Sequence, residues 1–260
     1  MMAAASHLDL RILVGAGSFT DAAAALRIIE GFPSSLFSGL GGLFIEETDM
    51  FTACQMPHQQ VVLPSGIRTL APTVAQIKLL LRADARAFER AVSKTAQTAN
   101  AGWAFAEDRG DLIATSLRAA KGWDVLLMGY RRVHPKTGKV VVLKDENAAG
   151  DTMDTVADRL SDKFSTDRVA LSVAPLTKTA QSTRCRRFET LDDCLHAIAR
   201  MNSLVVLLDL DQGPVHSASD LARVIGAARC PVMVFGAQSQ ATADEILSTA
   251  MLSLPGEKGV

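Results

Sequence analysis

Three side chains that could hold a divalent cation follow one apolar run. Asp209, Asp211 and His216 come at and just past the end of "SLVVLLDLD" (203–211). Two carboxylates and an imidazole suit a hard or borderline metal ion, although three ligands on one loop make a thin set. A second group is basic. Arg131, Arg132, His134 and Lys136 lie just beyond "WDVLLMG", at the carboxyl end of an apolar run, the position where open α/β sheets bind ligands. Arginine and lysine there could clamp a phosphate, or the four residues could form a solvated basic turn. The turn is the simpler account, and the spacing leaves both readings open. Arg184, Arg186 and Arg187 form a further basic group and read as a surface face.

Glycine patterns offer less. Gly15-Ala16-Gly17 lacks the spacing of a dinucleotide fingerprint, and Thr137-Gly138-Lys139 has no glycine in the Walker position and a valine after the lysine, which excludes a P-loop. Gly-x-Ser-x-Gly is absent, nothing marks a nucleophile turn, and His7, His58 and His196 have no partner pattern. Trp103 and Trp123 are expected to pack in the core. No catalytic constellation is legible.

The chain is 260 residues long, 48% hydrophobic and 21% charged, enough material for one large domain or two ordinary ones. Its 27 basic and 28 acidic residues leave a net charge of −1, so no global field draws it to nucleic acid. Cys54, Cys185, Cys194 and Cys230 show no C-x-x-C spacing and read as small apolar fillers without disulfides. "MMAAASHLDL" lacks the basic flank of a signal peptide, and no apolar run approaches a membrane span. A cytoplasmic protein with no membrane partner is expected.

Positioning elements alternate along the chain. "RILVGAG" (11–17) reads as a buried strand, followed by an alanine-rich helix capped by Ser18 or Thr20. "GGLFIEE" (41–47) is a second strand, 48–72 an irregular excursion, and Thr73 to Asn100 a long helix. "GWAFAED" (102–108), Asp111 to Lys121 and "WDVLLMG" give strand, helix and strand. "GKVVVLKDE" (138–146) then restarts the order, with a helix, "DRVALSVAP" (167–175), a helix over 188–202 and the strand 203–211. Continuous apolar strands alternating with helices predict α/β architecture with parallel sheets covered on both faces. Shifted by 80 places, "TSLRAAKGWDVLLMG" (115–129) lies on "LHAIARMNSLVVLLD" (195–209), which suggests an internal duplication. The boundary falls at 137/138, although the strand at 138–146 could instead close the first repeat.

Three pieces of the chain resemble the universal stress protein family. "RILVGAGSFTDAAAALRIIEGF" is similar to that family's opening strand, loop and helix, and "AEDRGDLIATSLRAAKGWDVLLMG" to its third helix and fourth strand. "SDLARVIGAARCPVMVFG" (219–236) is similar to its closing helix and fifth strand, entered through Cys230-Pro231. The resemblance implies two tandem universal-stress-protein-like (adenine nucleotide alpha-hydrolase-like) parallel-sheet domains, 1–137 and 138–260, packed as a pseudo-dimer. The second, which keeps the fifth strand, would supply the docking edge. It also implies a stress-linked binding or regulatory role and an adenine nucleotide, ATP or AMP, as the ligand to test.

Nucleotide-binding members of that family carry G-x-x-G, nine residues, then G-[S/T] after the fourth strand, so that backbone amides fold around phosphate. Here Gly129 keeps the first glycine, but Arg131 and Arg132 follow Tyr130 and the rest of the loop is missing. In the second repeat Asp209 stands at the first glycine, Ala218-Ser219 at the G-[S/T] pair, and the loop is shorter. The family's aspartate after the first strand is absent from Gly15-Ala16-Gly17-Ser18, whereas Asp145 could fill that role in the second repeat. These residues, Gly15 to Ser18, Gly129, Arg131, Arg132, Asp145 and Ser219, are the candidate nucleotide contacts.

The leading expectation is a stress-protein-like binding or regulatory protein without an intact ATP loop, without robust catalysis and without a required cofactor, with a protein partner or a homodimer as its assembly. The alternatives are an ATP- or AMP-binding sensor or slow ATPase using arginine side chains, and an unrelated α/β enzyme acting on a small phosphorylated substrate.

Overall fold

A computed structural model describes residues 8–33, 36–55, 60–62, 66, 68–70, 72–130, 138–145, 151–174 and 185–238. In chain order the elements are β1 (Leu10–Ala16), α1 (Phe19–Ile29), β2 (Phe37–Glu47), α2 (Thr48–Gln55), β3 (Gln60–Val62), β4 (Arg68–Leu70), α3 (Val74–Ala99), β5 (Gly102–Gly110), α4 (Leu112–Ala119) and β6 (Val125–Met128). They continue as β7 (Lys139–Asp145), α5 (Asp151–Phe164), β8 (Arg168–Val173), β9 (Cys185–Phe188), α6 (Leu191–Ala199), β10 (Ser203–Asp209), α7 (Ala218–Ala228) and β11 (Val232–Phe235).

Nine strands form one sheet in the order β5-β2-β1-β6-β11-β10-β7-β8-β9. Every neighbouring pair is parallel except β6 and β11, which run antiparallel with Leu127 opposite Met233 and Leu126 opposite Val234. The four strands that residues 1–137 contribute to this sheet, β5, β2, β1 and β6, lie on one side of the junction, and β11 belongs to the other side in sequence, while β3 and β4 form a separate pair. The parallel sheets expected of two domains are therefore joined into a single sheet by main-chain hydrogen bonds.

The interior strands bury both faces. Val140, Val141, Val142 and Leu143 are fully buried, as are Val205 through Leu208. Such runs exist because helices cover the sheet on each side. Residues of α1, α3 and α5, including Ile28, Phe88 and Val156, pack on one face with Ile12, Val14, Val142 and Leu207. Residues of α4, α6 and α7, including Leu117, Cys194 and Leu221, pack on the other with Leu13, Leu126, Val141 and Val206. The alternation of Ile12, Leu13 and Val14 between faces follows the period-two geometry of a strand. Each layer draws on residues from both sides of the β6–β11 junction.

Local signals set the helix ends. Ser18 caps α1, and Thr73 caps α3 in a reciprocal box with Gln76, whose amide donates to Thr73 Oγ at 3.3 Å. Asn100 ends α3 in the left-handed conformation, φ 55°, which asparagine tolerates better than most residues.

Three expectations are corrected. The stretch 48–72, read as irregular from its prolines and mixed composition, contains the helix α2 and the short antiparallel pair β3–β4. Trp103 does not enter the core: it lies on the edge strand β5 and is 45% exposed. The helix read over 188–202 is shorter, because Cys185–Phe188 pairs with β8 as a further strand. Cys185, Cys194 and Cys230 carry free thiols, and burial pushes Cys194 up to about 12.

Candidate functional site

The sheet order changes direction between β1 and β6, and the carboxyl ends of these two strands form the position where open α/β sheets hold ligands. The structure brings Gly15, Ala16, Gly17, Ser18 and Gly129 together there. Gly129 donates its N–H to the carbonyl of Gly15 at 2.8 Å, extending the β1–β6 ladder. The space that a side chain would take at each of these glycines is filled by protein. A Cβ on Gly129 would lie 2.8 Å from the backbone of Asp21, so the first turn of α1 rests directly on it. A Cβ on Gly15 would stand 2.4 Å from Ser116 Oγ, and one on Gly17 would stand 2.8 Å from Glu47 Oε1. Ala16 is fully buried.

Amides at Phe19, Asp21 and Ala22 in the first turn of α1 are already engaged. Asp84, from α3, accepts the N–H of Phe19 at 3.0 Å. Ser18 Oγ accepts the N–H of Asp21 at 3.2 Å and donates to that residue's carboxylate at 2.6 Å. The N–H of Ala22 goes to the carbonyl of Ser18. A helix amino terminus attracts anions through such N–H groups, and here a carboxylate of the same chain fills that role.

The rim is acidic. Burial raises the Glu47 pKa above the ordinary glutamate value, and the neighbouring carboxylates Asp111, Asp21 and Asp49 raise it further. Each of these charges would repel an incoming phosphate. At its far side Glu46 is neutralised by Arg109 at 2.7 Å, and Arg109 also stacks over Phe51 at 5.3 Å. Asp84 and Glu47 are the residues that sequence reasoning missed. The Glu46-Glu47 pair at the end of an apolar strand was a usable signal for the rim, whereas nothing local relates Asp84 to an amide 65 residues away.

In the other half the candidates are spread out. Asp145 ends β7, in register with Val173 of β8. Beside it Lys144 pairs with Asp154 at 3.4 Å, and Arg168 bridges Asp154 and Asp158. Asp209 Oδ1 accepts the N–H groups of Asp211 at 2.8 Å and Gln212 at 3.1 Å, so this carboxylate folds its own loop. Gly236, at φ +72°, lies beneath it: a Cβ there would be 2.8 Å from Asp209 Oδ1 and from Asp211 Oδ2. His216 is exposed. Among the described residues no group of three or more His, Cys, Asp or Glu side chains is placed to hold a metal ion, so the Asp209, Asp211 and His216 set does not converge as ligands. Ser219 is exposed in the first turn of α7, while Ser217 is the cap and accepts the N–H of Asp220 at 3.1 Å. Arg131 and Arg132, with His134 and Lys136, lie outside the described residues.

The fold has solved counterparts. A functionally unknown protein, PA1789 from Pseudomonas aeruginosa PAO1, superposes with a TM-score of 0.51 at 11% identity, over 94% of this chain and 99% of that one. A universal stress protein from Archaeoglobus fulgidus DSM 4304 superposes with a TM-score of 0.49 at 11% identity, over 86% of this chain and 95% of that one. No protein-family model matches the sequence, and no curated protein matches it. The likeness to PA1789 is one of fold and spans nearly the whole of both chains. Among the described residues no helix is long and apolar enough to cross a membrane.

Proposed function

We propose that this chain is a stress-linked binding or regulatory protein on a universal-stress-protein-like fold, in which the strand-end crevice has become part of the scaffold. One observation carries the reading: the Asp84 carboxylate sits 3.0 Å from the Phe19 amide, where a phosphate-binding protein would keep its helix amino terminus free. The carboxylates around Glu47 support it, because a triphosphate entering there would add negative charge to a negative rim. Such a role needs a protein partner, a second copy of the chain included, rather than a turnover cycle. The two sides of the β6–β11 junction are then repeats of one ancestral unit, and the fifth strand of the second completes the sheet of the first.

A thermal-shift titration with ATP, ADP and AMP, each with and without magnesium, tests this reading. A ligand that binds only the folded state raises the melting temperature as its concentration passes the dissociation constant. The expected result is no rise with any of the three up to millimolar concentration. A rise that is lost in Arg131→Ala/Arg132→Ala would instead establish a nucleotide sensor built on arginine side chains.

A further inference from the structure

The second half of the sheet carries a cavity of about 480 Å³ at the amino ends of β7, β8 and β10. Because β6 and β11 run antiparallel, it lies on the same edge of the sheet as the carboxyl ends of β1 and β6, but with β10 and β11 between β6 and β7. Its wall includes Lys139 at the start of β7, Asp167 just before β8, Arg186 on β9 and Arg200 at the end of α6, with Val169 and Met201 as apolar surface. Lys139 and Asp167 neutralise each other at 3.4 Å. The two guanidiniums have no counterpart: among the described residues neither Arg186 nor Arg200 makes a side-chain hydrogen bond or an ion pair. Two uncompensated positive charges thus line one pocket of a chain whose net charge is −1.

From this arrangement we infer a binding site for a small organic dianion, a phosphate monoester or a dicarboxylate with a short apolar body. Guanidinium groups present planar donor pairs that match carboxylate and phosphate oxygens, and Val169 and Met201 offer contact to the carbon skeleton. The carbonyl end of α6 opposes an anion here. Arg200 is the C-cap residue of that helix, but its guanidinium bonds none of those carbonyls and stays available to a ligand. Neither the cavity nor its charges belong to the strand-end crevice, so the inference stands apart from the proposed function.

Isothermal titration of the full chain with glycerol 3-phosphate and, separately, with succinate at matched ionic strength provides the test. At least one ligand is expected to bind saturably, and Arg186→Ala/Arg200→Ala is expected to weaken that binding by about tenfold or more. Arg27→Ala/Arg82→Ala removes the same charge from exposed positions elsewhere and is expected to leave binding unchanged. All four arginines are exposed, and unchanged melting of the unliganded variants checks their folding. Preference for one ligand identifies the source of the two charges. Failure of both ligands to bind the wild-type chain, or equal weakening in the two double variants, would overturn the inference.

Discussion

At the scale of single residues, the crevice behaves as a set of carboxylates held against their own charge. Because the Glu47 pKa is raised in the folded chain, the native state binds that proton more tightly than the unfolded state. Stability contributed at this position is therefore present at low pH and is lost as pH rises from the unfolded glutamate value through the native one. Glu47→Gln removes the loss. Its melting temperature is expected to exceed that of the wild type near neutral pH and to match it below the ordinary glutamate range, as read by thermal melts across pH. Asp84 works in the other direction, since its carboxylate satisfies the first amide of α1. Asp84→Ala is expected to destabilise the chain by about 1 kcal/mol in urea unfolding, the usual cost of a lost helix cap. Ser116 differs again: its hydroxyl is buried without a hydrogen-bond partner among the described residues, against Gly15. Replacing an unsatisfied buried hydroxyl by a methyl removes a desolvation cost, so Ser116→Ala is expected to be neutral or stabilising by up to about 1 kcal/mol in the same assay.

At the scale of elements, the close approach of α1 to β6 explains why Gly129 is a glycine. The Asp21 backbone occupies the space of its side chain, so Gly129→Ala is expected to cost about 1–3 kcal/mol by overpacking, measurable as a shift in the urea midpoint. In the sequence the same residue stands at the first glycine of a phosphate loop whose remainder is missing, since a glycine after a fourth strand looks alike whether it admits a ligand or a helix. Most elements were legible for clear reasons. β1, β6, β7 and β10 each centre on a run of three or more consecutive apolar residues, and α3 is a long amphipathic stretch begun by Thr73 and Gln76. The elements that escaped are short or lack a pattern. α2 has only 8 residues, too few to stand out although its Phe51 packs on the core, and β9, "CRRF", carries two arginines in a four-residue strand. "GWAFAED" reads as a strand, but nothing in it marks an edge, so the sequence alone places Trp103 inside whereas it is 45% exposed. The crevice was half legible: its glycines and Ser18 could be grouped by strand ends, whereas the helix seated on them and the carboxylate from α3 arise only in three dimensions.

At the scale of the whole molecule, one sheet and two continuous apolar layers cross the β6–β11 junction. Neither half can melt without exposing main-chain groups and apolar surface of the other. A single cooperative transition is expected, with calorimetric and van't Hoff enthalpies equal; two resolved transitions would mean that the halves are independent. The same continuity keeps α1 seated on Gly129, the contact on which the proposed closure of the crevice rests. Hydrogen exchange by mass spectrometry over residues 15–22 and 124–130, with and without magnesium and ATP at millimolar concentration, addresses that closure directly. The expected result is identical protection of both segments in the two conditions. Added protection confined to these segments would mean that nucleotide enters the crevice and would contradict the account.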